Sequence, residues 1–219
     1  MSKSILMSIH PEPCEYIFRN IKKREIRKVL PQVEFPCKVY VYMTQEKRLA
    51  AFFKKGDSTG FSDDKGNEIC FDQNVPVRRY NSYAQKVIGE FICTGYDKLV
   101  HCGTTNHNVT IQLMDDNYNT RPLTKEFLNL CCLSYKQLED YSKGGDLYAL
   151  HISDVKVYNK PKELSEFGKE CNLDCPSVRC PYWKYQRVNT DEWDYDCSCN
   201  NIRPLTHPPQ SFCYVEEVE

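Results

Sequence analysis

Lys22, Glu25 and Arg27 fall within one short run, Asn-Ile-Lys-Lys-Arg-Glu-Ile-Arg, at residues 20–27. An ammonium, a carboxylate and a guanidinium this close can bind a polar planar ligand and its phosphate together. The arginine fork suits a phosphate or a base edge. The glutamate accepts from an exocyclic amine or acts as a base, and a lysine drawn out of water can be tuned towards neutrality. On a strand, Lys23, Glu25, Arg27 and Val29 share one face and Arg24, Ile26, Lys28 and Leu30 the other, with Lys22 at the turn leading in. The plainer reading is a set of solvated charges with a same-face Glu25–Arg27 ion pair of little weight.

The elements that must position these side chains are short strands with helices between them. Ser4 to His10 has strand length and places Ser8 and His10 on one face. Pro13 to Asn20 can form a helix with Tyr16 and Ile17 inward, and Asn20 suits the left-handed residue that ends one. Cys37 to Met43 is β-branched and aromatic, the clearest strand in the chain. Lys86 to Tyr96 returns to strand character, with Gly89 marking a bulge. Val109 to Leu113 reads as a further strand. Two helices follow, Thr124 to Cys132 and Ser134 to Tyr141, the second opened by a Ser134–Gln137 capping box. Asp146 to Ile152, continued by Val155 to Tyr158, and a closing SFCYV complete the strands. Residues 45–85 are polar and weakly periodic and read as an insertion.

The chain has 219 residues, 41% of them apolar, enough for one well-cored domain with insertions. No run approaches the roughly 20 apolar residues that span a bilayer, and no secretory core follows Lys3. A soluble, cytoplasmic protein with no membrane partner is expected. Net charge is −1, but residues 19–28 carry a local +5, so only this patch favours phosphates. Eight of the 13 cysteines are scattered before residue 171 or stand at Cys213, and they read as reduced and largely buried.

The 20–27 run resembles the ASCH (activating signal cointegrator homology) signature G-x-K-x-x-E-x-R, with Lys22, Glu25 and Arg27 in the lysine, glutamate and arginine places and Asn20 in that of the glycine. LMSIHPEPCEYIF, VIGEF, YALHISDVKVYNKPKELSEF and PPQSFCYV fall in the order found in phage and bacterial ASCH proteins, leaving out 45–85 and 171–203. The resemblance implies an α+β, PUA-like mixed β-barrel with helices flanking a cleft. It also implies binding of RNA or a modified nucleotide by Lys22, Glu25 and Arg27. Ser8, His10, Gln210 and Ser211 are further candidates: cleft groups, or residues that satisfy local structure. One relative, the bacterial acetylcytidine amidohydrolase, pairs the motif lysine with a threonine where Glu25 stands here, so that nucleophile is not carried over. If the chain is an enzyme, a ribonuclease or amidohydrolase, Lys22 and Glu25 are its acid–base candidates. A protein-interaction module acting through the insertions is the third reading.

Cys171, Cys175, Cys180, Cys197 and Cys199 lie within 29 residues that hold both tryptophans and few aliphatics. Four of them could hold a structural zinc; free thiols and disulfides are the other two readings. The expected architecture is therefore one domain over 1–219, with a polar insertion at 45–85 and a Cys-rich insertion at 171–203 that zinc could hold.

Overall fold

Every residue from Ile5 to Ile9 is buried, so the first strand carries no polar face and must lie in the middle of a sheet. The computed structural model describes residues 3–44, 50–54, 61–62, 68–72, 84–103, 109–170, 183–187, 193–197 and 202–218. In chain order these form β1 (Ser4–Ile9), α1 (Pro11–Phe18), β2 (Arg24–Arg27), β3 (Cys37–Met43), β4 (Ala50–Lys54), β5 (Phe61–Ser62) and β6 (Glu68–Asp72). Next come β7 (Val87–Gly103), β8 (Val109–Met114), β9 (Thr120–Pro122), α2 (Lys125–Cys131), α3 (Tyr135–Ser142) and β10 (Leu147–Lys162). The chain continues through β11 (Phe167–Glu170), β12 (Trp183–Arg187), β13 (Trp193–Cys197), β14 (Ile202–Pro204) and β15 (Phe212–Glu217).

The main sheet runs β14-β11-β15-β1-β3-β7-β10-β2, with β8 and β9 extending from β7. β1 lies parallel to β3 and antiparallel to β15, which puts the start and the end of the chain side by side at its centre. The long strands β7 and β10 form the spine, and β10 carries β2 on its far edge in the register Leu150↔Glu25 and Tyr148↔Arg27. Helix α1 packs Cys14, Ile17 and Phe18 into the largest core cluster, with Val39, Val41, Ile88, Phe91 and Leu150. Helices α2 and α3 cover a second cluster through Phe127, Cys131 and Leu138 against Ile26, Leu99 and Leu147. Phe167 and Tyr40, with ring centroids 4.8 Å apart, anchor a third.

The sheet is open, which corrects the expected closed barrel. Its outer strands, β14 and β2, pair with β11 and β10 respectively and not with each other. β2 is only four residues long, and α2 approaches the chain at its start, where Lys23 N–H donates to Leu130 O at 2.8 Å. Among the described residues β2 ladders onto β10 alone, and its other edge meets no strand. The Cys-rich insertion is corrected too. β14, inside the expected 171–203 boundary, is a strand of the main sheet, while β12 and β13 pair only with each other. Among the described residues no separate Cys-rich unit is evident. Cys171, Cys175, Cys180 and Cys199 lie outside the described residues, and Cys197 ends β13. The zinc expectation rests on those cysteines. Among the described residues no group of three or more His, Cys, Asp or Glu side chains could hold a metal ion. Within 45–85, β4, β6 and β5 form a small antiparallel sheet. Among the described residues, no helix is long and apolar enough to cross a membrane.

Local signals translate directly into backbone. Thr124 caps α2, and Ser134 and Gln137 form the expected capping box on α3. Asn20 has φ 60°, the left-handed conformation anticipated for it. The register slips between Val41↔Gly89 and Tyr42↔Val87, a bulge beside Gly89. A Cβ on Gly89 would run into Lys156 O and stand 2.7 Å from the Phe18 ring. Gly89→Ala is therefore expected to destabilise the fold by about 2 kcal/mol or more, seen as a lower urea midpoint at unchanged slope.

Candidate functional site

Helix α1 ends by turning its last carbonyls onto the residues that follow. Asn20 N–H donates to Ile17 O, and the N–H groups of Ile21 and Lys22 both donate to Tyr16 O, each at 2.9 Å. This hands the chain into β2 with Lys22 already pointing inward. Helix α2 stops where Cys132 takes φ 52°, so the carbonyl of Cys131 has no helical partner. The Lys22 ammonium donates to that carbonyl at 2.5 Å. One lysine thus ties the ends of two helices to the entry of a strand.

Strand alternation then sets Glu25 and Arg27 on one face. Arg27 Nη2 lies 3.0 Å from Glu25 Oε1, and Lys22 Nζ lies 3.6 Å from Glu25 Oε2. All three are buried, at 4% exposure for Lys22 and 7% for each of Glu25 and Arg27. Arg27 Nη2 also donates to Ser8 O at 2.8 Å, and Nη1 reaches Ser211 Oγ at 3.4 Å. Its Nε is buried with no hydrogen-bond partner. Ser8 is clamped from the other side: its N–H donates to Ser211 O and its hydroxyl to Pro209 O at 2.6 Å. The exposed-charge reading of the 20–27 run therefore does not describe these three side chains.

Lys22, Glu25 and Arg27 lie at a cavity of about 690 Å³. Ser8, His10 and Gln210 also line it, and Ser211 contributes through Arg27. His10 is exposed, with Nδ1 3.1 Å from Thr44 Oγ1. The rest of the lining is largely apolar: Ile9, Pro13, Ile26, Leu133, Tyr141, Pro208 and Pro209, with Thr44 and Gln137. Sequence reasoning missed Gln137 and Tyr141, which stand one turn apart on α3 and mark one side of that helix. Their spacing was legible, but not that α3 docks beside β2. Cys14 lies behind the charges. Its buried thiol is pushed well above the ordinary value by burial and then by the Glu25 carboxylate, with Arg27 opposing. Two other cavities, about 440 Å³ beside β15 and about 720 Å³ beside the β8–β9 turn, gather no buried charged side chain.

The opposite parity of β2 serves a different network. Arg24 Nε and His151 Nε2 each lie 2.9 Å from Asp97 Oδ2. Burial raises the Asp97 carboxyl, but hydrogen bonds from His151 and Arg24 outweigh it and hold the group below its ordinary value.

Two crystal structures are similar to the chain. ASCH from Zymomonas mobilis shares 16% identity over 74% of this chain and 74% of its own, at a TM-score of 0.41. A serine-to-alanine mutant of the Zymomonas mobilis ASCH protein shares 15% identity over 98% of this chain and 89% of its own, at 0.47. No family model matches the chain, and no curated protein matches it.

Two outcomes follow from the charges. Glu25→Ala strands two buried cations and is expected to cost about 3–5 kcal/mol in urea unfolding; a loss below about 1 kcal/mol would instead fit the surface-pair reading. Asp97→Asn should destabilise the protein at neutral pH. Because the folded carboxyl is depressed, its contribution is fully present above the unfolded value and is lost as pH falls through the folded one. The gap from wild type should close across that acid window, as read from unfolding midpoints against pH.

Proposed function

We propose that the chain binds single-stranded RNA, or a modified nucleotide, in the cleft over Lys22, Glu25 and Arg27. The observation that carries this reading is a set of three buried charged side chains, net +1, set in a cavity whose walls are mostly apolar. Such a floor offers donors from Lys22 and Arg27 beside an acceptor from Glu25, and the walls exclude water around a planar ring. The resemblance of residues 20–27 to the ASCH signature adds the expectation of an RNA or nucleotide ligand.

Binding is favoured over catalysis by how Glu25 is engaged. Each of its oxygens faces a cation, at 3.0 and 3.6 Å; a further lone pair on each can still accept a hydrogen bond, whereas taking a substrate proton would cancel both ion pairs. A hydrolase would need a ligand to displace one of those partners. The interaction-module reading would act through 45–85 and 171–203, most of which lies outside the described residues.

The test is fluorescence anisotropy of a labelled single-stranded RNA at two salt concentrations. Wild-type affinity should fall as salt rises. Arg27→Gln and the rim change Gln210→Ala should each weaken binding, the first by about tenfold, with folding checked by circular dichroism. Affinity indifferent to both substitutions in folded protein would sink the cleft reading. Turnover of the RNA that is lost in Glu25→Gln while affinity persists would establish the hydrolase instead.

A further inference from the structure

We propose that Tyr141 and Lys28 form an outer subsite of this cleft, the tyrosine ring stacking on the base of a nucleotide and the lysine holding its phosphate. The inference rests on the nucleotide-binding reading above and names the parts of the ligand that the buried charges do not reach.

Tyr141 stands on the last turn of α3 and lines the cavity with Gln137, while Leu138 and Ser142 of the same helix are buried. Among the described residues it is one of few large aromatic rings left open, at 40% exposure. Part of its ring stands at the cavity wall. Pro208 and Pro209, from the segment before β15, add flat apolar surface to the same lining. The ring lies close enough to the buried charges to feel them: burial raises its hydroxyl above the ordinary value, Arg27 lowers it and Glu25 raises it. It therefore stays a neutral phenol next to the floor of the site.

Lys28 gives the tyrosine its second function. Its ammonium is held 5.0 Å from the centroid of the Tyr141 ring, yet Lys28 does not line the cavity and is exposed. Among the described residues no carboxylate lies within ion-pair distance of it. A cation held against an aromatic wall, with no anion of its own, suits a group that must stay in water until a ligand arrives. A base against the ring and a phosphate at the ammonium are joined in a nucleotide by a single ribose. A nucleoside has only the first contact. The subsite therefore selects for the phosphorylated ligand, while Glu25 and its two cations contact the polar edge of the base.

The experiment measures affinities for the four ribonucleoside 5′-monophosphates and their parent nucleosides by isothermal titration calorimetry. Tyr141→Ala should weaken the monophosphate and the nucleoside alike, by about tenfold, and Tyr141→Phe should retain wild-type affinity. Lys28→Gln should weaken only the monophosphates and reduce their log–log salt slope by about 1. Tyr141→Ala with wild-type affinity, or Lys28→Gln acting equally on nucleoside and monophosphate, would overturn the subsite. The two levels separate cleanly. A wild-type protein that binds neither nucleotide nor RNA removes the cleft reading and the subsite together. Binding that depends on Arg27 but ignores Tyr141 and Lys28 removes the subsite alone.

Discussion

A carboxylate buried between two buried cations is the constraint on which the rest of this structure turns. Removing three ionised groups from water is costly, and attraction among them repays it only if their remaining hydrogen-bonding capacity is met. Glu25 satisfies its two oxygens with Lys22 and Arg27. That leaves donors on both cations to be placed, and each placement recruits a different element. Lys22 takes the orphan carbonyl at the end of α2. Arg27 takes the Ser8 carbonyl on β1 and reaches Ser211 at the start of β15. Four elements distant in sequence converge because a small polar cluster needs partners that its own strand cannot supply.

The same cluster explains how an open sheet makes a cleft. β2 and β1 are separated in strand order by β3, β7 and β10, yet the Arg27 side chain donates directly to β1. The sheet must curl far enough for its last strand to come back over its centre. A backbone ladder would have closed the gap and filled it. A side-chain bridge holds the two strands near one another and leaves space beside it, and the cavity occupies that space. Openness of the sheet and existence of the site are one fact seen twice.

Much of this was legible in residues 20–27. Parity put Glu25 and Arg27 on one face, and Asn20 announced the left-handed turn that aims Lys22. The Ser134–Gln137 box and Thr124 announced the helices that border the cleft, since capping chemistry is local. Gly89 announced a bulge. What local pattern could not show was whether the 20–27 charges were buried, because burial is decided by what packs against β2, and α2 and α3 arrive from a hundred residues further on. For the same reason Tyr141 read as an ordinary helix end. The barrel expectation failed on a related point: short strands with helices between them fit either closure or curl, and the choice depends on the edge of β2. The apparent break between Ile152 and Val155 turned out to be a bulge within one long strand, where Asp154 takes φ 47° and the register to β7 slips.

The two faces of β2 show why the cleft is charged on one side only. Ile26, between Glu25 and Arg27 in sequence, packs into the cluster under α2 and α3, so the strand is anchored by an apolar residue flanked by ionic ones. Arg24, of the same parity as Ile26, is neutralised by Asp97, which also engages His151. Its charge is therefore spent on holding β7 and β10 together at the start of β2. Of the cations in this basic run, Lys23 donates to Asn20 and is occupied locally, while Lys22 and Arg27 share one carboxylate. The excess positive charge facing the cavity is thus a single unit, held by groups fixed by hydrogen bonds to β1 and α2. The cluster thus presents a fixed arrangement of donors around one acceptor and little bulk attraction, in keeping with a chain whose overall charge is near zero.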